Sequence, residues 1–354
     1  MHFGPKYLRD TVMDDPKMTA RIANADLVFI HISDLHFRAA GVDDVHDQDR
    51  YLRNELQLDL RRLRTRLPRV DGLIISGDIA FGGKAEEYAF ATNWIESIRE
   101  QLGCERRGVM VSGGNHDVDH DAIPDDGPVD LIHQEVRGSA TLEEYDACLA
   151  AVLRHEKRGE SLLYPLGAFN AFASSYGCGF NRDCPYWERD FSLSDGTILR
   201  FRGISTILLS SSRDNIRSHK MLYGGSQRTM LRIPNVRYAI IGHHPPSWSI
   251  EDDVADQVFS ALSFLQIFGH KHEQWITTIG NSVRVIAGAL HPSRAESNWL
   301  PRYGALAISA RDARHLNLRI YPRRWSAEEL TFIGDYNSEG KDYRDYVLVV
   351  DERK

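Results

Sequence analysis

The chain has 354 residues, 42% of them hydrophobic, and a formal net charge of -7. That size and apolar content suffice for one large core or two modest ones, which excludes a fibrous or disordered protein. The acidic balance excludes a global basic field for nucleic acid and leaves only a local basic groove open, whereas small phosphorylated substrates need no such field.

Residues 1–26 lack the apolar segment of a secretory signal and read as an N-terminal extension. No apolar run approaches the roughly 20 residues that span a bilayer, so we expect a cytoplasmic protein without a membrane partner. An apolar strand then runs into a polar loop at "LVFIHISD" (27–34), and the same form returns at "GLIISGD" (72–78), "GVMVSGGNHD" (108–117) and "YAIIGHH" (238–244). Between the first three, apolar residues at helical spacing predict helices over 50–67 and 84–102. The order β, α, β, α, β predicts parallel strands with right-handed crossovers and a ligand site beyond their carboxyl ends.

Residues 119–190 interrupt this alternation with acidic and glycine-containing loops, a helix at "TLEEYDACLAAVLRHEK" and aromatic turns such as "CPYWERDF", and read as an insertion or cap. Its Tyr176, Phe180, Tyr186, Trp187 and Arg189 are expected to stack on the substrate and set its selectivity; the alternative is an ordinary cap with its own small core. After residue 196 the chain is mostly β, with "TILRFRGISTILLSS", "SVRVIAGAL", "YGALAISA" and "HLNLRIYP" as strands of a second sheet. Within this half, "LQIFGHKHEQW" (265–275) stops an apolar run at a glycine and offers His270 and His272 around one lysine. In extended chain, side chains two apart face the same way, so the two imidazoles are expected to converge on one spot. From residue 322 onward the chain reads as a tail, either a small β addition or a docking segment for a protein partner. Cys104, Cys148, Cys178 and Cys184 lack C-x-x-C spacing and are read as reduced packing residues.

Strand ends thus supply Asp34 and His36, then Asp78, then Asn115 and His116, then His243 and His244, and lastly His270 and His272. These are oxygen and nitrogen donors without thiolate, which suits manganese, iron or zinc and argues against a closed structural zinc site. Their number exceeds what one catalytic ion needs, and a central carboxylate can bridge two ions about 3.5–4 Å apart. "FGGKAEEY" fails as a phosphate loop, because the glycine-to-lysine spacing is wrong and Ala85 stands where Ser or Thr is required. His244 either lines the site or holds its turn, and His31, His120 and His291 are read as structural. Arg213 and Arg294 are surface arginines within reach of a phosphate that need no such role.

The ordered set "SDLHF", "SGDIAF", "GGNHD", "GHHPP" and "FGHKHE", each after an apolar strand, resembles the calcineurin-like metallophosphoesterase family over roughly residues 27–320. The resemblance implies an α/β fold, a four-layer α/β/β/α sandwich of two mixed β-sheets flanked by helices, with a domain over 27–321. It implies a dinuclear centre in which Asp34, His36 and His272 hold one ion, Asp78 bridges, and Asn115, His243 and His270 hold the other. His116 becomes a non-ligand histidine that positions phosphate or protonates the leaving group, while a hydroxide between the two ions attacks phosphorus. Many members carry a carboxylate three residues after the bridging aspartate to orient that histidine. Here the position is Phe81, and Asp117 is the candidate for the role, with capping of the following turn as its other reading.

The histidine-rich motifs are similar to the branch containing cyclic-nucleotide and glycerophosphodiester hydrolases. A phosphodiesterase using two divalent transition-metal ions, manganese first and iron or zinc as alternatives, is therefore the leading expectation, with a nucleotide or nucleic acid among its candidate substrates. A nuclease or phosphomonoesterase on the same core and a non-catalytic scaffold that binds partner proteins are the competing ones.

Overall fold

A computed structural model describes residues 25–39, 47, 49–214, 220–292, 300–312 and 314–349. The N-terminal extension as far as residue 24 and Arg294 lie outside the described residues. In chain order the elements begin with β1 (Leu27–Ile32), α1 (Arg50–Arg64), β2 (Gly72–Ser76), α2 (Ala85–Leu102) and β3 (Val109–Ser112). Four helices follow, α3 (Pro128–Arg137), α4 (Leu142–Arg154), α5 (Glu156–Leu163) and α6 (Gly167–Ser175). Next come β4 (Tyr186–Ser192), β5 (Ile198–Ile204), α7 (Gly225–Arg228), β6 (Val236–Ile241), α8 (Asp252–Leu262) and β7 (Ser263–Phe268). The chain closes with β8 (Trp275–Ile279), β9 (Ser282–Ile286), β10 (Arg302–Asp312), β11 (His315–Ser326), β12 (Thr331–Gly334) and β13 (Arg344–Val349).

These strands form a seven-stranded sheet in the order β12-β11-β10-β1-β2-β3, with β13 also paired to β11, and a six-stranded sheet in the order β4-β5-β6-β7-β9-β8. Both are mixed. β1, β2 and β3 run parallel while β1 and β10 are antiparallel, and β5, β6, β7 and β9 run parallel between antiparallel edges at β4 and β8. Every residue of β1 is buried, as a parallel strand covered on both faces requires. Phe29 of β1 packs edge-on against Phe191 of β4 and Phe201 of β5, at 5.1 and 4.9 Å between ring centroids, and so fastens one sheet to the other. Outside the first sheet, α1 buries Leu52, Leu56, Leu60 and Leu63, one helical face. Outside the second, Phe259 of α8 shares a core with Tyr238, Ile240 and Phe268. The result is the four-layer α/β/β/α sandwich.

The structure redraws several boundaries. β11 runs through residues 321 and 322, and β12 and β13 pair with successive stretches of it, so of the two readings of this segment the described residues form the small β addition, joined to the first sheet. Residue 190 falls inside β4, which makes the end of the insertion part of the second sheet. The long strand expected over 197–211 ends at Ile204, where a loop toward the metal centre begins. Among the described residues no helix is long and apolar enough to cross a membrane, and all four cysteines are free.

Candidate metal centre

The loops that leave β1 and β2 are stitched together by backbone. Asp34 N–H donates to the Gly77 carbonyl, Leu35 and His36 N–H to that of Asp78, and Phe37 N–H to that of Ile79, at 2.8–3.0 Å. The loop after β9 joins them, with Leu290 N–H donating to Ser33 and His291 N–H to Asp34. Two glycines permit the approach of the side chains. A Cβ on Gly77, whose φ is 102°, would stand 2.4 Å from Nδ1 of His243, and one on Gly114 would stand 2.1 Å from Oδ1 of Asp78. Five candidate ligands, Asp34, His36, Asp78, His270 and His272, have left-handed backbone with φ of 50–71°. Non-glycine residues rarely adopt that conformation, and it costs each of them roughly 1–2 kcal/mol.

The side chains gather in overlapping groups. Ligand atoms of Asp34, His36 and His272 lie within 4.8 Å of one another, as do those of Asp34, Asp78 and His243, of His36, Asp78 and His116, and of His243, His244 and His270. Asp78 is the hinge between them. Its Oδ1 accepts the N–H of His116 at 2.9 Å, and its Oδ2 lies 3.3 Å from Nε2 of His36 and 3.2 Å from Nε2 of His243. Three histidines share one wiring, in which Nδ1–H is spent on a backbone carbonyl: His36 on His291 at 3.4 Å, His243 on Ser76 at 2.7 Å and His116 on Phe81 at 2.8 Å. That fixes the tautomer and leaves Nε2 as the ligand or proton-carrying atom.

The electrostatics follow from this crowding. Burial opposes ionisation of both aspartates, but His272 and His243 bring Asp34 below the usual carboxylate range, and His243 and His36 hold Asp78 well below it. Burial alone would lower His243, yet Asp78 and Asp34 raise it to about 9. His270 is lowered to about 3, by burial first and His243 second, and His244 is driven well below its ordinary value by burial and by His270. The donors fit cations. Both buried oxygens of Asp34 and Nε2 of His243 make no hydrogen bond, although His272 Nε2 stands 3.3 Å from Asp34 Oδ1 and Asp78 Oδ2 stands 3.2 Å from His243 Nε2. Unpartnered buried polar atoms of this kind are costly unless an ion meets them.

Asn115 falls on the second group, where its Oδ1 is 3.1 Å from Nε2 of His244. The other nitrogen of His244 is 2.8 Å from the Thr206 hydroxyl, so His244 donates Nε2–H to the amide oxygen and accepts from Thr206. It is therefore a positioning residue for Asn115, a role that adjacency in "GHHPP" alone does not reveal. His270 and His272 converge by two left-handed turns beyond β7 instead of by strand alternation, and they divide between the two groups.

Asp117 does not orient His116. Its buried carboxylate accepts the N–H groups of Ile79, Ala80 and Gly114 and the Tyr88 hydroxyl, all at 2.9–3.1 Å, and so ties the two catalytic loops to α2. With burial and Asp78 opposing ionisation, Asp117 is pushed up to about 6. The carbonyl of Phe81 takes the orienting role instead, and a backbone acceptor gives no side-chain signal in the sequence. His31 is buried against the Ser76 hydroxyl at 2.9 Å, His291 donates to the Leu35 carbonyl, and Arg213 is paired with the buried Asp130. His120 is half-buried beside the site.

The insertion's aromatics also differ from expectation. Tyr176, Phe180 and Trp187 are buried in the main core, Trp187 Nε1–H donates to the Val111 carbonyl at 3.0 Å, and Arg189 donates to the carbonyls of Arg107, Val109 and Tyr176. Their apolar area is consumed by packing, and the alternative reading, a cap with its own core contacts, describes them. Tyr186 stacks on Arg202 at 4.3 Å, on the outer face of the second sheet. The aromatics that do border the centre come from elsewhere: Phe81, tilted on His116 at 5.2 Å, and Trp248, edge-on to His270 at 4.1 Å.

Paired oxygen and nitrogen sites at the carboxyl ends of two packed mixed sheets define a class, the metal-dependent phosphoric ester hydrolases with a dinuclear centre. The chain belongs to the calcineurin-like phosphoesterase family, whose model matches residues 27–274. Solved structures similar to it include wild-type Vps29 complexed with Zn2+ from Entamoeba histolytica, at 11% identity over 92% of this chain and 100% of that one, with a TM-score of 0.36. Purple acid phosphatase PPD1 from yellow lupin shares 12% identity over 92% of this chain and 54% of that one, at a TM-score of 0.46. GAP50, the anchor in the inner membrane complex of Plasmodium, shares 11% over 94% and 91%, at 0.44. No curated protein matches the chain.

Proposed function

We propose that the protein is a phosphodiesterase using two divalent transition-metal ions, manganese first, with iron or zinc as alternatives. The observation that carries this is the single oxygen, Oδ2 of Asp78, shared at 3.3 and 3.2 Å between His36 of one donor group and His243 of the other. Asp34, His36 and His272 would hold one ion and Asn115, His243 and His270 the second. Bound there, the ions would supply Lewis acidity toward phosphoryl oxygens and would lower the pKa of a bound water. His116, its Nδ1–H held by Phe81, keeps Nε2 toward the centre for phosphate oxygens or for protonating the leaving alcohol. Diesters are favoured over monoesters because Phe81 borders His116 and Trp248 borders His270, an aromatic surface for each ester arm. A cytoplasmic setting, which would keep the four free cysteines reduced, accompanies this reading.

Turnover of bis(4-nitrophenyl) phosphate and of 4-nitrophenyl phosphate by manganese-loaded protein tests it. The diester should have the higher kcat/KM; a strong preference for the monoester overturns the diesterase reading.

A further inference from the structure

Phe37 and Ala80 form an isolated parallel bridge, and Phe81 N–H donates to the Phe37 carbonyl at 2.9 Å. The two chains therefore leave the metal centre side by side, and the next residue on the first, Arg38, meets Phe81 on the second. Its guanidinium carbon sits 3.3 Å from the centre of the Phe81 ring. That ring is 5.2 Å from His116 and 6.4 Å from His36, so Phe81 stands between the guanidinium and the centre. Arg38 is exposed and Phe81 is 37% exposed, which puts the pair at the rim.

Other arginines use their donors inside the protein: Arg53 on Asp47, Arg213 on Asp130 and Arg137 on the carbonyls of Leu209 and Lys220. Among the described residues, Arg38 has no carboxylate or carbonyl partner, and the stack on Phe81 is its described contact. Stacking restrains a side chain that otherwise has many rotamers and leaves the edge of the planar fork, with its N–H donors, pointing away from the ring. A restrained guanidinium edge matches two phosphate oxygens. Separated from His36 and His116 by the Phe81 ring, it is placed for an anionic group beyond the reacting phosphate.

We propose that Arg38, presented by Phe81, is a substrate-binding residue that takes a second phosphate one ester arm beyond the reacting one. The preferred substrates are then phosphodiesters carrying an additional phosphate, the chemistry of short oligonucleotides and phosphorylated nucleotide diesters. This deepens the phosphodiesterase reading and rests on the same centre. It also gives a reason for Phe81 beyond its carbonyl, since the ring is the support on which the cation lies.

The test measures binding, so it does not depend on turnover. Affinities of the manganese-loaded protein for thymidine 3′,5′-bisphosphate and thymidine 3′-monophosphate are compared by calorimetry in the wild type, Arg38→Ala, Arg38→Lys and Phe81→Leu. The wild type should bind the bisphosphate about tenfold more tightly, as a charge-assisted hydrogen bond at a partly exposed site gives. Arg38→Ala should bring the ratio near one, while Arg38→Lys and Phe81→Leu, which keep the charge but lose the fork or its support, should fall between. A ratio near one in the wild type, binding of neither nucleotide, or a ratio that survives Arg38→Ala overturns the proposal. Preference for 4-nitrophenyl phosphate over its bis-ester, with the Arg38-dependent ratio intact, would defeat only the diesterase reading.

Discussion

The metal centre and the insertion over residues 119–190 draw on the same residue types and use them in opposite ways. In the insertion, Arg189 gives its N–H groups to three backbone carbonyls, Trp187 gives its indole N–H to Val111, and Phe172 stacks on Tyr88 of α2 at 5.1 Å. These donors are consumed by the fold, and the rings of Phe172, Phe180 and Trp187 are covered. At the centre, Asp34 keeps both carboxylate oxygens without a hydrogen bond, and its described partner is the ion-pair contact of His272 at 3.3 Å. A buried polar atom left open is unfavourable for the folded chain alone, so its persistence points to a ligand. Aromatic and charged composition does not separate the two regions; what separates Trp187 and Arg189 from Asp34 is whether their donors and acceptors are already spent.

Substitutions can break this contrast, and the largest effect is expected at Asp78. Asp78→Asn retains an acceptor for the His116 N–H but gives up the shared anionic oxygen, so turnover should fall at least about 10³-fold with the melting temperature nearly unchanged. Elemental analysis of the variant should show lost metal; full activity would mean that Oδ2 is not the hinge between the groups. His116→Ala should cost about 10²–10⁴-fold, more on a nucleoside ester than on a nitrophenyl ester, because a poor leaving group needs the proton more. Equal losses would assign His116 to phosphate positioning alone.

Its neighbour should behave in the other manner. Asp117→Ala strands three backbone N–H groups and the Tyr88 hydroxyl, and should destabilise the fold by about 3 kcal/mol in urea titration. A variant as stable as the wild type but inactive would move Asp117 into the chemistry. The smallest effect belongs to the insertion: Trp187→Phe should lose about 1 kcal/mol of stability, the value of one buried hydrogen bond, with selectivity among diesters unchanged. A changed selectivity would return the insertion to the substrate's side.

Much of the fold was legible because β1, β2 and β3 are apolar runs that end in polar loops and alternate with helices of regular period. The candidate ligands stood out for the same reason, each at a strand end. What could not be read was anything carried by backbone. Phe81 orients His116 through its carbonyl, which every residue possesses, and His270 and His272 converge through left-handed turns that spacing alone misrepresents as strand. The insertion misled because Trp187 and Arg189 would have the same letters whether facing a substrate or packed under a strand. Asp117 was placed beside His116 by adjacency, whereas consecutive side chains in a short helical turn point in different directions.

Asp34, His36, Asp78, His270 and His272 stand in a conformation that suits glycine. Replacing any of them by glycine would relax the backbone by roughly 1 kcal/mol. Selection for thermal tolerance alone would therefore favour erasing those of the five whose side-chain contacts are worth less than that backbone cost. A library of this chain screened only for survival of heating should be enriched in inactive members whose changes cluster at the strand ends, so the most heat-resistant descendants would be those that had lost their chemistry. The opposing pull of stability and activity is thus written into five backbone angles.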